Sequence, residues 1–572
     1  MRRSRAGMAG VGATIFLSSF LLFLVEPMFA KRILPWFGGS AAVWTTCLVF
    51  YQSALVAGYA YAAAMARRAR PKWQATVHVV LLMAAVATLP IEARTGFHWA
   101  PAGAILASLT LSIGLPYFLL SATNPLLQSW WSETGAGTYR LFALSNAGAL
   151  LALIAYPAAI EPRVTTHGQL RGWSIGFGIF AALCAVVAMG SARRKEMANG
   201  ESEGVTWRQR MEWMALAAAG SMMLLATTNQ LTQDVAPVPL LWIVPLAIYL
   251  ATFVAAFESP RWYPRESTLR FLAIALTGVA YAISNIGLSD ALVVSIPLFS
   301  IALGIACLFC HGELNRTKPG SGALTSFYLM IAIGGALGAV LVGLVAPAIF
   351  SGIYELPVSM LAVAVLALWT NWKAGWSRRA LWAAVGVAMV VVGMAQARGY
   401  HHDAIELARN FYGSLRVVEA NGVRILYHGT VEHGSQFQSP ELRRTPTTYY
   451  GRESGVGMAL GGLDRRGPVR IGVIGLGTGT LAAYGRAGDE FRFYEINPLV
   501  EEMARRDFSY LSDSAAKTEV VTGDARLSLE ASSVQPFDGL VVDAFSGDAI
   551  PVHLLTREAI ELYLRNLKSD GI

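Results

Sequence analysis

Apolar runs long enough to cross a bilayer as helices, about 20 residues each, succeed one another along most of this chain. They lie at Met8–Val25, Ala41–Ala66, Gln74–Pro90, Ala102–Ser121, Tyr139–Ile160 and Leu170–Gly190. A second set follows at Trp213–Leu231, Val238–Phe257, Leu269–Ile286, Ala291–Cys310, Ala323–Phe350 and Leu356–Trp372, and Ala380–Ala397 comes after it. The polar stretch Ser191–Glu212 separates the two sets. Fifth in the first set, Tyr139–Gly148 leads into a run ending at Tyr156-Pro157; fifth in the second, Phe327–Gly335 leads into one ending at Ala346-Pro347. The likeness predicts an internal repeat, residues 8–190 and 213–372, with two parallel halves of the kind found in major-facilitator transporters.

The period changes near Ala408. Ser414–Glu419 and Val423–His428 alternate apolar and polar positions around Asn421-Gly422, a two-residue hairpin signal. After the polar, aromatic stretch Ser439–Arg452 comes Val469–Pro498. It reads as a buried strand, a glycine-rich turn (Gly475, Gly477, Gly479), a short helix, and a second strand ending in Glu495. Further strands, Glu519–Thr522 and Gly539–Val542, end in Gly523-Asp524 and Asp543. Strands alternating with helices predict a doubly wound parallel sheet, which binds ligands at the carboxyl ends of its strands. The predicted fold is a polytopic α-helical membrane domain (1–397), a small β-hairpin subdomain (408–452) and an α/β Rossmann-like domain (453–572). The chain stops at Ile572, where a fifth strand is expected to begin, so the sheet is expected to lack its last strands.

Composition agrees with a membrane protein. The 572 residues are 54% hydrophobic and 14% charged, with a mean hydropathy of +0.47, whereas soluble domains carry about 25% charged residues. The net charge of +8 lies in short clusters between apolar runs, such as Arg67, Arg68, Arg70 and Lys72. No basic face interleaved with aromatics appears, so nucleic acid is not an expected partner. Clusters beside spans are what the positive-inside rule produces. With the amino terminus inside, Arg2–Arg5, Arg67–Lys72, Arg193–Arg210, Arg261–Arg270, Arg316–Lys318 and Lys373–Arg379 fall on one side, against only a few such as Lys31, Arg32 and Arg94 on the other. A cell (inner) membrane location follows, with the basic loops cytosolic. If Ala380–Ala397 also crosses, the soluble half emerges opposite those loops. If it lies along the membrane or re-enters it, the soluble half stays with them.

Ionisable groups at membrane depth are costly and face a cavity or a partner. Glu26 and Asp234 are thus candidates for a substrate or proton path, but both are expected at span ends, in interfacial water. Asn124, Asn146 and the run Thr228–Asp234 are the other polar positions near spans. Cys307-Leu-Phe-Cys310-His311 matches the C-x-x-C-H haem-attachment string, yet it sits at the end of an apolar run, where packed, reduced thiols are expected. Met8–Val25 follows Arg2, Arg3 and Arg5 like a signal peptide but lacks a small-residue cleavage site, so it is read as a first span.

Gly475, Gly477, Gly479, Glu495, Asp524 and Asp543 all follow strands and converge on one edge. Glycines let backbone approach a ligand closely, and an acidic residue about 20 positions on can accept hydrogen bonds from ribose hydroxyls. The turn is G-L-G-T-G, without the G-x-G-x-x-G spacing of dinucleotide folds, and Gly523-Asp524-Ala525 suits an adenine amino group. These features resemble the adenosylmethionine-binding fold of class I methyltransferases and, more closely, the spermidine synthase (polyamine aminopropyltransferase) family, in which a small β domain precedes the Rossmann-like one. The resemblance covers about Asn410–Ile572, and the whole layout is similar to membrane-fused spermidine-synthase-like proteins.

The resemblance implies that Glu495 binds the ribose, that Asp524 and Ala525 lie at the adenine, and that Asp543 takes the proton of the attacking amine. The co-substrate it implies is decarboxylated S-adenosylmethionine or S-adenosylmethionine. The sulfonium is itself a good leaving group, so no metal is called for. The family's second aspartate, three residues after Asp543, is Ser546 here, with Asp548 displaced by two. Its early Tyr-Gln is Tyr412-Gly413. Its amine-gating aromatic-plus-amide motif becomes Tyr449-Tyr450-Gly451-Arg452, placing an arginine where an amine site wants a carboxylate. Tyr450, Ser546 and Asp548 remain candidates for the acceptor site.

The expected function is membrane-bound transfer of an aminopropyl group to a polyamine. Methyl transfer to an acceptor delivered by the membrane half, and a transporter with a nucleoside- or polyamine-sensing, inactive domain, are the alternatives. The bilayer and a small amine or other small acceptor are the expected partners.

Overall fold

The computed structural model describes residues 2–97, 99–131, 136–191, 205–234, 239–284, 292–320, 323–463, 467–531, 535–545 and 550–572. Among the described residues, a helix lies in every apolar run identified in the sequence. They are α1 (Arg2–Phe37), α2 (Ala41–Arg68), α3 (Pro71–Val86), α4 (Pro101–Trp131), α5 (Ala136–Ala155), α6 (Thr166–Ser191) and α7 (Trp207–Asp234). They continue as α8 (Pro239–Glu258), α9 (Arg265–Ser284), α10 (Leu292–Arg316), α11 (Leu324–Val340), α12 (Glu355–Thr370) and α13 (Trp376–His401). Among the described residues eight are long and apolar enough to cross a membrane, and Leu144–Ile160, Trp242–Glu258 and Glu355–Thr370 are shorter apolar helices. The chain is a multi-pass membrane protein.

Neighbour relations recur between the two sets of helices. α1 packs on α4, α5 and α6, and α7 packs on α10, α11 and α12. α2 lies against α4 as α8 lies against α10, and the sets meet through α2 with α11 and α5 with α8. Small residues allow these approaches, since lipid offers no hydrophobic drive for helix pairing and close backbone packing must supply it. A Cβ at Gly148 on α5 would lie 2.6 Å from the Phe16 carbonyl oxygen on α1. One at Gly334 on α11 would lie 2.3 Å from that of Met214 on α7. Gly334→Val is therefore expected to cost about 1–3 kcal/mol through overpacking, read as a lower unfolding temperature of the purified protein in detergent.

One expectation fails here. Glu26 does not cap a span end: α1 runs on through Pro27 to Phe37, and Glu26 is buried inside it. Its carboxylate accepts a hydrogen bond from the Tyr117 hydroxyl at 2.9 Å, and Tyr51 donates to its carbonyl at 3.2 Å. Proline is tolerated within a bundled helix because neighbours satisfy the freed carbonyl. The Asp234 side chain lies outside the described residues. Asn124 donates to Ser145 at 3.1 Å, and Ser145 bonds Ser19 at 2.7 Å, tying α4, α5 and α1. Cys307 and Cys310 are free, buried thiols, and His311 is buried between Tyr249 and Phe253.

α13 leads straight into an antiparallel sheet of β1 (Ala404–Asn410), β2 (Gly413–Ala420), β3 (Val423–His428) and β4 (Val431–Phe437), in that order. The sheet begins four residues before the alternation noted at Ala408. Asn421 and Gly422 both have positive φ, as a tight primed hairpin turn requires. A second sheet, of β5 (Arg470–Ile474), β6 (Glu490–Glu495), β7 (Lys517–Thr522) and β8 (Gly539–Val542), is parallel in the order β7-β6-β5-β8. Beside β8 the last residues also pair: Leu540 N donates to Ile572 O at 2.8 Å, and Ile572 N to Asp538 O at 3.1 Å.

The soluble half is seated on one end of the bundle. Arg409 of β1 forms a buried ion pair with Glu355 at the start of α12 and donates to Gly352 O at 2.7 Å. Ser414 donates to Ser351 O at 2.9 Å. Gly38, just past α1, faces Ile496: a Cβ there would lie 2.9 Å from the isoleucine Cδ1. The soluble half thus contacts the carboxyl end of α1 and the amino end of α12.

Candidate active site

Three adjacent strands place the site residues level with one another. Ile474 of β5 pairs with Tyr494 of β6 and with Val542 of β8, so the next residues, Gly475, Glu495 and Asp543, leave the sheet side by side. Strands lie about 4.8 Å apart, so Glu495 and Asp543 flank the glycine turn. Glu495 in turn pairs with Thr522, two residues before Asp524.

Gly475 has φ +104°, and a Cβ on it would come 2.4 Å from the Asp543 carbonyl oxygen. No other residue fits, because the strain of positive φ adds to a clash with backbone. A Cβ on Gly477 (φ +55°) would lie 2.6 Å from the His433 carbonyl oxygen of β4, so the two sheets meet closely over the turn. Gly479 opens a 3₁₀ stretch, Thr480–Tyr484, in place of the expected short helix.

Glu495 is buried and accepts one hydrogen bond on each oxygen, from Leu476 N at 3.1 Å and Asn497 N at 2.8 Å. Burial pushes its carboxyl up to about 7, against the lowering effect of those backbone donors. A carboxylate offers about four acceptor positions, so capacity remains for a ligand hydroxyl. Asp524 caps the helix Ala525–Ala531 by accepting from Leu527 N at 3.0 Å, and its other oxygen meets His553 Nε2 at 2.8 Å. Ala525 is the buried first residue of that helix. His553, in the short 3₁₀ turn Val552–Leu554, carries no sequence motif that would single it out.

Asp543 accepts a hydrogen bond on Oδ2 from the Tyr450 hydroxyl. Burial raises its carboxyl to about 6, with the Tyr450 bond acting in the opposite direction. Burial and the neighbouring Asp543 charge push the Tyr450 phenol far above its ordinary range, so Tyr450 acts as a fixed donor. Tyr484 secures it by donating to the Tyr450 carbonyl at 2.6 Å. Tyr449 is half exposed and packs on Tyr450, with ring centroids 4.4 Å apart. Arg452 is exposed. Ser546 and Asp548 lie outside the described residues.

Tyr412 lies close enough to Glu495 and Asp524 for both charges to raise its phenol, with burial the larger cause, to about 12. At Gly413 a Cβ would fall 2.0 Å from His428 Nε2. The imidazole therefore fills the space of the side chain expected after Tyr412. Burial lowers the His428 pKa, against the raising effect of a backbone hydrogen bond at Tyr412. Neither role is visible in sequence, because the two strands meet only in the folded sheet.

No family model matches this chain. Its carboxyl-terminal region is similar to the polyamine aminopropyltransferase of Vibrio vulnificus (strain CMCP6), with 34% identity over 143 residues. That is 24% of this chain, which spans 45% of the relative's length. Among solved structures, the nucleoside transporter NupG is 13% identical over 68% of this chain and 98% of its own, with a TM-score of 0.39. The fucose:proton symporter FucP of E. coli is 14% identical over 67% of this chain and 98% of its own, with a TM-score of 0.38.

Proposed function

We propose that the carboxyl-terminal half is a spermidine-synthase-like transferase of Rossmann-like fold. It moves an aminopropyl group from decarboxylated S-adenosylmethionine to an amine. The observation that carries this reading is Asp543, held by Tyr450 at the end of β8, beside the glycine turn. The similarity to the polyamine aminopropyltransferase of Vibrio vulnificus supports it.

The residues present fit a sulfonium nucleoside. Gly475 and Gly477 leave the turn open at backbone level, Glu495 offers acceptor capacity to ribose hydroxyls, and the Asp524 carboxylate lies one strand further on for an adenine amino group. In the transfer, the acceptor nitrogen forms a bond to the propyl carbon while the carbon–sulfur pair returns to sulfur, leaving a neutral thioether nucleoside. An ammonium is not nucleophilic, so Asp543 orients the amine and takes its proton. Tyr450 keeps the carboxylate in place, and a pKa of about 6 leaves it ionised at neutral pH.

The turnover rate is therefore expected to fall as pH drops through about 6, because Asp543 must be ionised to accept the proton. A pH–rate profile that stays flat from 7 to 5 would remove that role. Calorimetry on the full chain in detergent tests the nucleoside directly. Decarboxylated S-adenosylmethionine and methylthioadenosine are expected to bind. Binding of S-adenosylmethionine alone would favour methyl transfer.

A further inference from the structure

The soluble half and the basic loops lie at opposite ends of the bundle. α1 runs from Arg2 to Phe37, and the soluble half meets its carboxyl end at Gly38. α2 starts at that same end and finishes at Arg67 and Arg68 at the other. The same alternation places Arg265, Arg316, Lys373 and Arg378 at the far end, where Arg265 pairs with Glu313 and Arg378 with Glu266. Lys and Arg beside spans are biased to the cytosolic side, so the geometry points to a soluble half on the other side of the membrane.

A cavity of about 290 Å³ lies between the two halves, at the lower end of small-molecule sites at about 300–1,000 Å³. The bundle contributes Ser40, Thr45, Asn229 and Thr232, and the first sheet contributes Tyr412 and His428. Thr45 donates to Asn229 Oδ1 at 2.9 Å, and the buried Ser40 hydroxyl has no hydrogen-bond partner among the described residues. Among the described lining residues there is no carboxylate, and the one charged side chain, Arg409, is paired with Glu355. A polycation is held best by carboxylates, so this cavity suits a polyamine poorly. A neutral solute with hydroxyls and an aromatic ring does.

The wall between cavity and candidate site is thin. Tyr412, in the turn between β1 and β2, lines the cavity and also neighbours Glu495 and Asp524. Asn410 beside it donates to Asn497 Oδ1 at 2.6 Å, and Asn497 N donates to Glu495.

We propose that this cavity is a second binding site, for an uncharged nucleoside, at the non-cytosolic mouth of the bundle. There the membrane half takes up the thioether nucleoside that the soluble half releases. The identity of the ligand rests on the transferase reading; the sidedness and the cavity do not.

Sidedness is read by Asn421→Cys, at an exposed hairpin tip, and Ala69→Cys, between the arginines of the cytosolic loop. The native cysteines are all buried, so the background is silent. In intact cells an impermeant maleimide is expected to label position 421 and spare position 69, and the reverse would overturn the placement. The cavity is read by equilibrium binding of radiolabelled methylthioadenosine to the full chain in nanodiscs. A Glu495→Ala background weakens the site on the parallel sheet. One cavity site per chain is expected to persist, weakened at least about tenfold by Asn229→Leu, as the loss of a buried polar partner implies. The milder Thr45→Val, which keeps the shape and removes the hydroxyl that holds Asn229, is expected to weaken it less, and spermidine is expected not to compete. Binding unchanged by both variants, or displaced by spermidine, would overturn the proposal. Neither readout needs turnover, so a chain that binds in this way without transferring sinks the transferase reading alone. Transfer by a chain whose binding ignores Asn229 sinks the cavity alone.

Discussion

Replacing Asp543 with asparagine is expected to lower the transfer rate by about 10²–10⁴, the usual cost of losing a general base, while nucleoside affinity stays within a few-fold. Asparagine keeps the shape and can still accept from Tyr450, so the fold and the Tyr450 contact survive. Only the proton acceptor is lost. Single-turnover rates measured beside calorimetric affinity separate the two effects. A matching fall in both would make Asp543 a binding residue. Tyr450→Phe is expected to do less: it frees the carboxylate of its fixed donor but leaves it in place.

The second large effect is expected at the nucleoside end. Glu495→Ala and Asp524→Ala should each weaken binding by about 1–3 kcal/mol, the cost of unpaired buried polar groups. At Glu495 part of that loss is structural, because its carboxylate also holds Leu476 N and Asn497 N. Glu495→Gln separates the parts, since the amide oxygen can still serve one of those donors while the charge is gone. At Asp524 the pairing with His553 offers a similar control. His553→Ala is expected to shift binding in the same direction but less. Affinity unchanged in both alanine variants would remove the adenosyl assignment.

The bundle was legible because a bilayer demands about 20 apolar residues at a time, and every run found in the sequence is a helix. What sequence mis-set was where helices end. Glu26-Pro27 reads as a terminus, yet α1 continues past it, because Tyr117 satisfies the carboxylate inside the bundle. Strand β1, with the sequence AIELARN, shows no clean alternation and is only partly buried along its length, so it escaped notice. The parallel sheet's edge was legible because its site residues follow directly on strands, and the register then sets Gly475, Glu495 and Asp543 level. His428, His553 and Tyr484 were not, since each acts through a partner brought close only by the fold. Which end of the bundle meets the soluble half needed the structure for the same reason: it depends on which helix ends Arg409, Ser414 and Ile496 touch.

Arg452 bears on the acceptor. Its side chain is exposed, where it disfavours a polycation approaching past Tyr449. Arg452→Glu is expected to raise the use of spermidine relative to a smaller amine, seen as a lower KM with kcat nearly unchanged. An unchanged KM would place the acceptor's entry elsewhere.

Aminopropyl transfer by this chain can be measured outright. The most direct test is radiolabel transfer from decarboxylated S-adenosylmethionine to putrescine or spermidine, using the full-length protein in detergent. A labelled, longer polyamine and an equimolar amount of methylthioadenosine are expected, both formed about 10²–10⁴-fold more slowly by Asp543→Asn. No transfer by the parent protein, with methyl transfer from S-adenosylmethionine detected instead, would contradict it.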